Sequence, residues 1–143
     1  MSDFEWPVRV YYEDTDSGGV VYHANYLKFM ERARTEWLRA RGIEQCALRD
    51  EHGVIFAVTN IELDYLRPAR FNQSLLVGVR VLQMRRASVH LEQDVRLADD
   101  PQATTDKGTL FARGRVTVAC IDAQAFRPRA FPDNVRREIL GDR

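Results

Sequence analysis

A chain of 143 residues is the length of one domain and long enough to bury a core without disulfide or metal staples. With 45% hydrophobic and 29% charged residues it is neither a disordered chain, which has too little to bury, nor a membrane-embedded one, which has too few charges. Its 21 Lys and Arg are balanced by 21 Asp and Glu, so it lacks the basic field of a general nucleic-acid binder, and any polyanion must be met by a local cluster.

The N-terminus, MSDFEWP, carries acids where a secretory signal has basic residues and an apolar run, and no window approaches the roughly 18 consecutive apolar residues of a spanning helix. A cytoplasmic location is expected. From Phe4 to Glu13, Val8, Val10 and Tyr12 alternate with Arg9, Tyr11 and Glu13, the period of a half-buried strand. From Asn25 the spacing changes to three and four. Tyr26, Leu27, Met30, Ala33, Trp37 and Leu38 form one stripe, which predicts an amphipathic helix over 25–41 closed by Gly42.

A polar connection with room for a short helix leads to four predicted strands: 54–66, a run alternating Leu75, Val77, Val79 and Val81, another carrying Val89, Leu91, Val95 and Leu97, and 109–121. Arg85-Arg86-Ala87-Ser88 reads as a hairpin turn, 98–108 as a solvated loop, and 132–143 as a short helix or frayed tail. This is an α+β plan: an antiparallel sheet whose apolar face is covered by one long helix, in a single domain spanning 1–143. Cys46 and Cys120 form no CxxC pair and no cluster with His23, His52 and His90, so no metal site is expected and both read as buried or half-buried thiols.

The stretch YYEDTDSGGVVYHANY, residues 11–26, packs acids, glycines, a histidine and aromatic rings between the first strand and the helix. Asp14-x-Asp16-x-Gly18 opens like a calcium loop, but its fifth position is Gly and its twelfth, Asn25, is not Glu. Asp16-Ser17-Gly18-Gly19 resembles a serine-protease nucleophile loop, but every histidine follows that serine and the chain is too short for a double barrel. No dinucleotide or Walker glycine pattern is present. Asp16 or Ser17 could cap the helix, with the glycines turning the chain. A cap needs one short polar residue, however, and this loop offers Tyr12, Asp14, Asp16, His23 and Asn25 around a helix start whose free N–H groups can stabilise an oxygen acquiring negative charge. That combination suits acyl transfer or hydrolysis.

Residues 8–38, VRVYYEDTDSGGVVYHANYLKFMERARTEWL, resemble the signature of the hotdog-fold acyl-CoA thioesterases of the 4-hydroxybenzoyl-CoA thioesterase class, in particular the YbgC family associated with the Tol-Pal system. The similarity runs in element order from Val8 to Ile121. It implies a hotdog fold, an antiparallel sheet wrapped around one central helix. It implies catalysis by Asp16 with Tyr12 and His23, a thioester oxygen held by helix-start amides, foremost that of His23, and substrate contacts along Gly19, Val20 and Tyr22. Asp14 is assigned to shaping the loop, and Ser17 is not expected to be a nucleophile.

The implied reaction is hydrolysis of an acyl-CoA thioester, CoA being part of the substrate and no other cofactor being needed. Asp16 would be general base or nucleophile. Coenzyme A phosphates call for arginine forks; Arg85 and Arg86 beside Ser88 are the leading pair, with Arg67, Arg70, Arg127 and Arg129 as further candidates. The resemblance also implies a homodimer assembling to a homotetramer, acyl carrier protein as a possible acyl donor, and a peripheral link to inner-membrane Tol-Pal or phospholipid machinery. The competing readings are an acyl-thioester dehydratase of the same fold, in which His23 would lead, and a non-catalytic acyl-CoA-binding protein.

Overall fold

A computed structural model describes residues 3–103, 105 and 107–141. Strand β1 (Phe4–Arg9) is followed by a single 3-10 turn (Tyr12–Asp14), helix α1 (Asn25–Ala40), helix α2 (Gln45–His52), strands β2 (Val54–Tyr65), β3 (Ser74–Met84), β4 (Ser88–Leu97) and β5 (Leu110–Asp122), and helix α3 (Asp133–Leu140). The strands form one antiparallel sheet in the order β1-β3-β4-β5-β2.

Register puts the apolar residues on a single face. Val77 pairs with Val95 and Val95 with Ala112, while Leu91 faces Val81 on one side and Val116 on the other. Helix α1 lies on that face and buries Tyr26, Phe29, Met30, Ala33, Trp37 and Leu38 against it. Space on this face is short at Gly114, where an added Cβ would stand 3.0 Å from the Glu62 carbonyl oxygen of the neighbouring β2 and 3.4 Å from the Met30 methyl of α1. One buried polar residue interrupts this face. Gln93, on β4, donates from Nε2 to the Met30 carbonyl at 3.0 Å and accepts from Arg34 Nη1 at 2.9 Å, tying the helix backbone to the sheet.

The hotdog plan expected from sequence is the one observed, with two corrections, to the end of the first strand and to Cys46, and two refinements, to the C-terminal segment and to the 98–108 loop. The first strand ends at Arg9 instead of Glu13, because the Tyr11 amide and the Asn25 side chain both turn toward the Asp14 carboxylate and curl 12–14 into the 3-10 turn. Cys46 is exposed, on the outer side of α2, and only Cys120 is buried. The C-terminal segment is a docked helix, since Val135 and Ile139 enter the core, and residues 142–143 of the predicted tail lie outside the described residues. The 98–108 connection folds on itself: the Asp100 carboxylate accepts from the amides of Gln102 and Thr109 and from the Thr109 hydroxyl, and Ala103 is buried.

Candidate active site

The 11–26 stretch is a hairpin leading into a helix. Asp16 N donates to Val20 O and Gly19 N to Asp16 O, closing a three-residue connection in which Gly19 takes φ +79°, the left-handed position that this turn type reserves for glycine. Thr15 pairs with Val21, and the Tyr22 amide donates to Asp14 O at 2.8 Å, so the two arms are joined down to the helix start. The returning arm is fixed from outside: Val20 bridges Arg70, Val21 N donates to Ala69 O, and the Tyr65 hydroxyl donates to His23 O at 2.8 Å.

The two aspartates do different work. Asp14 is 6% exposed, and its carboxylate accepts from Tyr11 N at 2.9 Å and Asn25 Nδ2 at 3.0 Å. Both its oxygens are spent holding the turn against the first residue of α1. Asp16 is exposed at the hairpin tip. One oxygen accepts from Gly18 N at 2.8 Å, an Asx turn that fixes the side chain, and the other has no partner among the described residues. A side chain on Gly18 would crowd that carboxylate, its Cβ standing 3.2 Å from Asp16 Oδ1.

Neither Asp16 nor Ser17 caps the helix. The cap position is Ala24, without a side-chain hydrogen bond, and among the described residues the amides of His23 and Ala24 meet no acceptor. The helix therefore begins with open donors. His23 is exposed, its ring tilted on Tyr22 with centroids 4.4 Å apart and edge-on to Tyr65. Tyr12 does not join this group. Its ring stacks on Phe71 at 3.7 Å, nearly parallel, and is 74% exposed.

The expected phosphate-binding arginines are split between the two ends of the sheet. Arg67 follows β2 and its amide donates to Phe111 O, at the end where the hairpin sits. Arg85, Arg86 and Ser88 form the β3–β4 turn at the opposite end, Ser88 pairing with Ala119, and the Arg85 carbonyl is held by Arg136 and that of Arg86 by the Phe131 amide. Roughly 25 Å of β5 lies between the two groups, at ~3.3 Å per residue. Within one chain, Asp16 and the Arg85-Arg86 pair are not neighbours.

One feature was missed from sequence. A cavity of about 220 Å³ lies between α1 and the inner face of the sheet, bordered by Arg34, Trp37, Phe56, Val58, Leu91 and Phe131. The nearest sign in the sequence is indirect: Gln93 stands polar at an inward position in the alternation Val89, Leu91, Gln93, Val95, and it holds Arg34, which borders the cavity. Among the described residues no three His, Cys, Asp or Glu side chains cluster closely enough to hold a metal ion, and no helix is long and apolar enough to cross a membrane.

The description of the thioesterase-like superfamily matches residues 10–139, from the hairpin to the last helix. The chain belongs to this superfamily. Its thioesterase-like sequence is 42% identical, over 95% of both chains, to the acyl-CoA thioester hydrolase YbgC of Escherichia coli O6:H1, and 41% identical to the acyl-CoA thioesterase YbgC of Haemophilus influenzae over 93% of this chain and 91% of that one. These relatives place it in the YbgC family. Its fold superimposes on Slr0204, a 1,4-dihydroxy-2-naphthoyl-CoA thioesterase from Synechocystis, with a TM-score of 0.85 at 21% identity over 97% of this chain and 96% of the other. A probable thioesterase from Bartonella henselae gives 0.79 at 31% identity, covering 90% and 98%. In this YbgC-family chain, the most specific segment of the sequence and the open helix start coincide.

Proposed function

We propose that the protein hydrolyses acyl-CoA thioesters, with Asp16 as the acting carboxylate and the amides of His23 and Ala24, at the entry to α1, as the oxyanion donors. The observation that carries this reading is the contrast between the aspartates: the buried Asp14 is used up in structure, whereas Asp16 is held on a rigid hairpin tip with one oxygen uncommitted. The hairpin feeds directly into an uncapped helix, so carboxylate and free amides belong to one small unit. The curated YbgC relatives named above act on acyl-CoA thioesters, which supports the substrate class.

In this mechanism the thioester oxygen accepts from the amides of His23 and Ala24, and charge building on that oxygen is stabilised by fixed donors and the helix dipole. Asp16 either takes a proton from water, whose oxygen adds to the carbonyl carbon, or adds itself to give an anhydride that water then opens. In both routes the C–S bond breaks, CoA leaves as the thiolate and the acid is released. His23, beside Tyr22 at the helix start, is placed to orient that water. Nothing beyond substrate and water is consumed.

The site is completed by a second copy of the chain. Strand β1, with six residues and Pro7 in its middle, makes a poor edge for pairing, whereas β2 presents twelve residues with Val58 and Tyr65 exposed. Two-fold antiparallel pairing along β2 turns the second sheet end for end. It carries the Arg85-Arg86 turn of one copy toward the Asp16 hairpin of the other, where the arginine forks meet the CoA phosphates.

The test is release of thiol from acyl-CoA. Replacing Asp16→Asn is expected to lower kcat by about 10²–10⁴, the usual worth of a positioned base, with an unchanged circular dichroism spectrum. An Asp16→Asn protein that turns over acyl-CoA at the native rate removes Asp16 from the mechanism. Native protein that binds acyl-CoA without releasing thiol removes the hydrolase reading.

A further inference from the structure

We propose that the cavity beneath α1 selects acyl groups that end in a carboxylate, with Arg34 as the anchor. This deepens the acyl-CoA hydrolase reading and rests on the β2-paired dimer above, which brings the hairpin of one copy over the cavity of the other. The cavity is bordered by Phe56 and Val58, near the start of the β2 edge, and the hairpin is fixed to Tyr65 at the end of β2. Antiparallel pairing sets these two stretches side by side.

The cavity wall is largely apolar, including Val58, Val89, Leu91, Val118 and Phe131. Into that wall α1 sends a guanidinium. Arg34 is half-buried and makes one hydrogen bond, from Nη1 to Gln93 Oε1 at 2.9 Å. Gln93 is fully buried, and its Nε2 is committed to the Met30 carbonyl, so its oxygen can face only Arg34. The guanidinium is thus held in place, while the rest of its five N–H groups find no acceptor among the described residues. No carboxylate stands within ion-pair distance of it there. Glu31, on the cavity rim and exposed, acts on Arg34 only through its field, and burial pulls the Arg34 pKa below its ordinary value.

Trp37, three residues on, borders the same cavity and carries an unmatched polar atom. It is 2% exposed, and its indole Nε1 is buried without a partner among the described residues. Buried charges and polar groups are normally matched, and leaving them unmatched is costly. If Arg34 served only to hold α1 on the sheet, a neutral donor to Gln93 would do the same at lower cost. A terminal carboxylate offers what is missing: two acceptor oxygens and one negative charge, in the planar geometry a guanidinium pairs with best.

The experiment compares length-matched pairs of substrates, glutaryl-CoA against valeryl-CoA and adipyl-CoA against hexanoyl-CoA. For the native protein, kcat/KM is expected to favour the carboxylated member of at least one pair by roughly ten- to hundredfold, the worth of a hydrogen bond to a charged group. Arg34→Met is expected to abolish that preference while retaining hexanoyl-CoA hydrolysis. The same pairs are titrated calorimetrically into Asp16→Asn protein, where no turnover interferes, and the same order of affinity is expected. Carboxylate-selective binding without hydrolysis by native protein would leave the anchor standing and overturn the hydrolase reading. Hydrolysis or binding of valeryl-CoA and hexanoyl-CoA as good as that of their carboxylated counterparts overturns the anchor and leaves the hydrolase reading intact, as does an Arg34→Met protein that keeps the preference. Should Arg34→Met fail to fold, the native ratios decide.

Discussion

Two aspartates two positions apart, identical in chemistry, are separated by what surrounds them. Removing the Asp14 side chain strands the Tyr11 amide and the Asn25 amide group in a buried place, so Asp14→Ala is expected to cost about 1–3 kcal/mol in urea denaturation. Asp16→Asn, at an exposed tip, is expected to stay within about 0.5 kcal/mol of native stability while losing activity. The reverse pattern would exchange their roles. The sequence displayed both acids, but of the partners that tell them apart the Asn25 side chain comes from eleven residues downstream and gives no local sign that it reaches back to Asp14. The cysteines make the same point. Burial pushes the Cys120 thiol up to about 11, whereas Cys46 stands exposed on α2. Iodoacetamide at pH 8 is expected to label Cys46 rapidly and Cys120 only after denaturation, which peptide mass spectrometry reads directly. A thiol-release assay is therefore cleaner in a Cys46→Ser background.

Elements were legible wherever one face is buried and the other wet. Helix α1 declared itself by its stripe, and β3 and β5 by alternation, because each packs one side against the same core. The end of β1 was not legible, since Val8, Val10 and Tyr12 keep alternating past the point where Asp14 curls the chain. Gly114 also looked like one more small residue in β5; the close approach of the β2 backbone at Glu62, with Leu63 and Met30 beside it, gives it a purpose. Gly114→Val is expected to crowd the Glu62 carbonyl and the Leu63 and Met30 side chains and cost about 1–3 kcal/mol, measured as a lowered urea midpoint with unchanged slope. The 98–109 loop hangs on Asp100, whose pKa is held below its ordinary 3.8 by the amides of Gln102 and Thr109 and the Thr109 hydroxyl. A carboxylate depressed in the folded state stabilises above its ordinary pKa and loses that contribution as pH falls through the lower, folded value. Order in this loop should thus be complete at pH 5 and lost below the ordinary carboxylate range, followed through the amide resonances of Gln102 and Thr109.

At the scale of the whole molecule, the residues proposed for one site are each visible in the sequence, but their separation within the chain is not. Asp16 and Arg85-Arg86 are each recognisable as residues, but their separation follows from strand order and register, which place the hairpin at one end of the sheet and the β3–β4 turn at the other. The proposed pairing along β2 would join them across a two-fold axis, and it makes a prediction that no single-chain site shares. Homodimers of Asp16→Asn carry two dead carboxylates; homodimers of Arg85→Ala/Arg86→Ala carry two weakened phosphate grips, visible as a raised KM. Mixed subunits create two unequal sites in each heterodimer, one with both lesions and one with neither. After unfolding and refolding an equal mixture, random pairing makes half of the dimers mixed, so about a quarter of all sites should regain native kcat/KM at low acyl-CoA. If carboxylate and arginines served the same site from the same chain, every site would keep its parent's defect and the mixture would show only the average of the two parents.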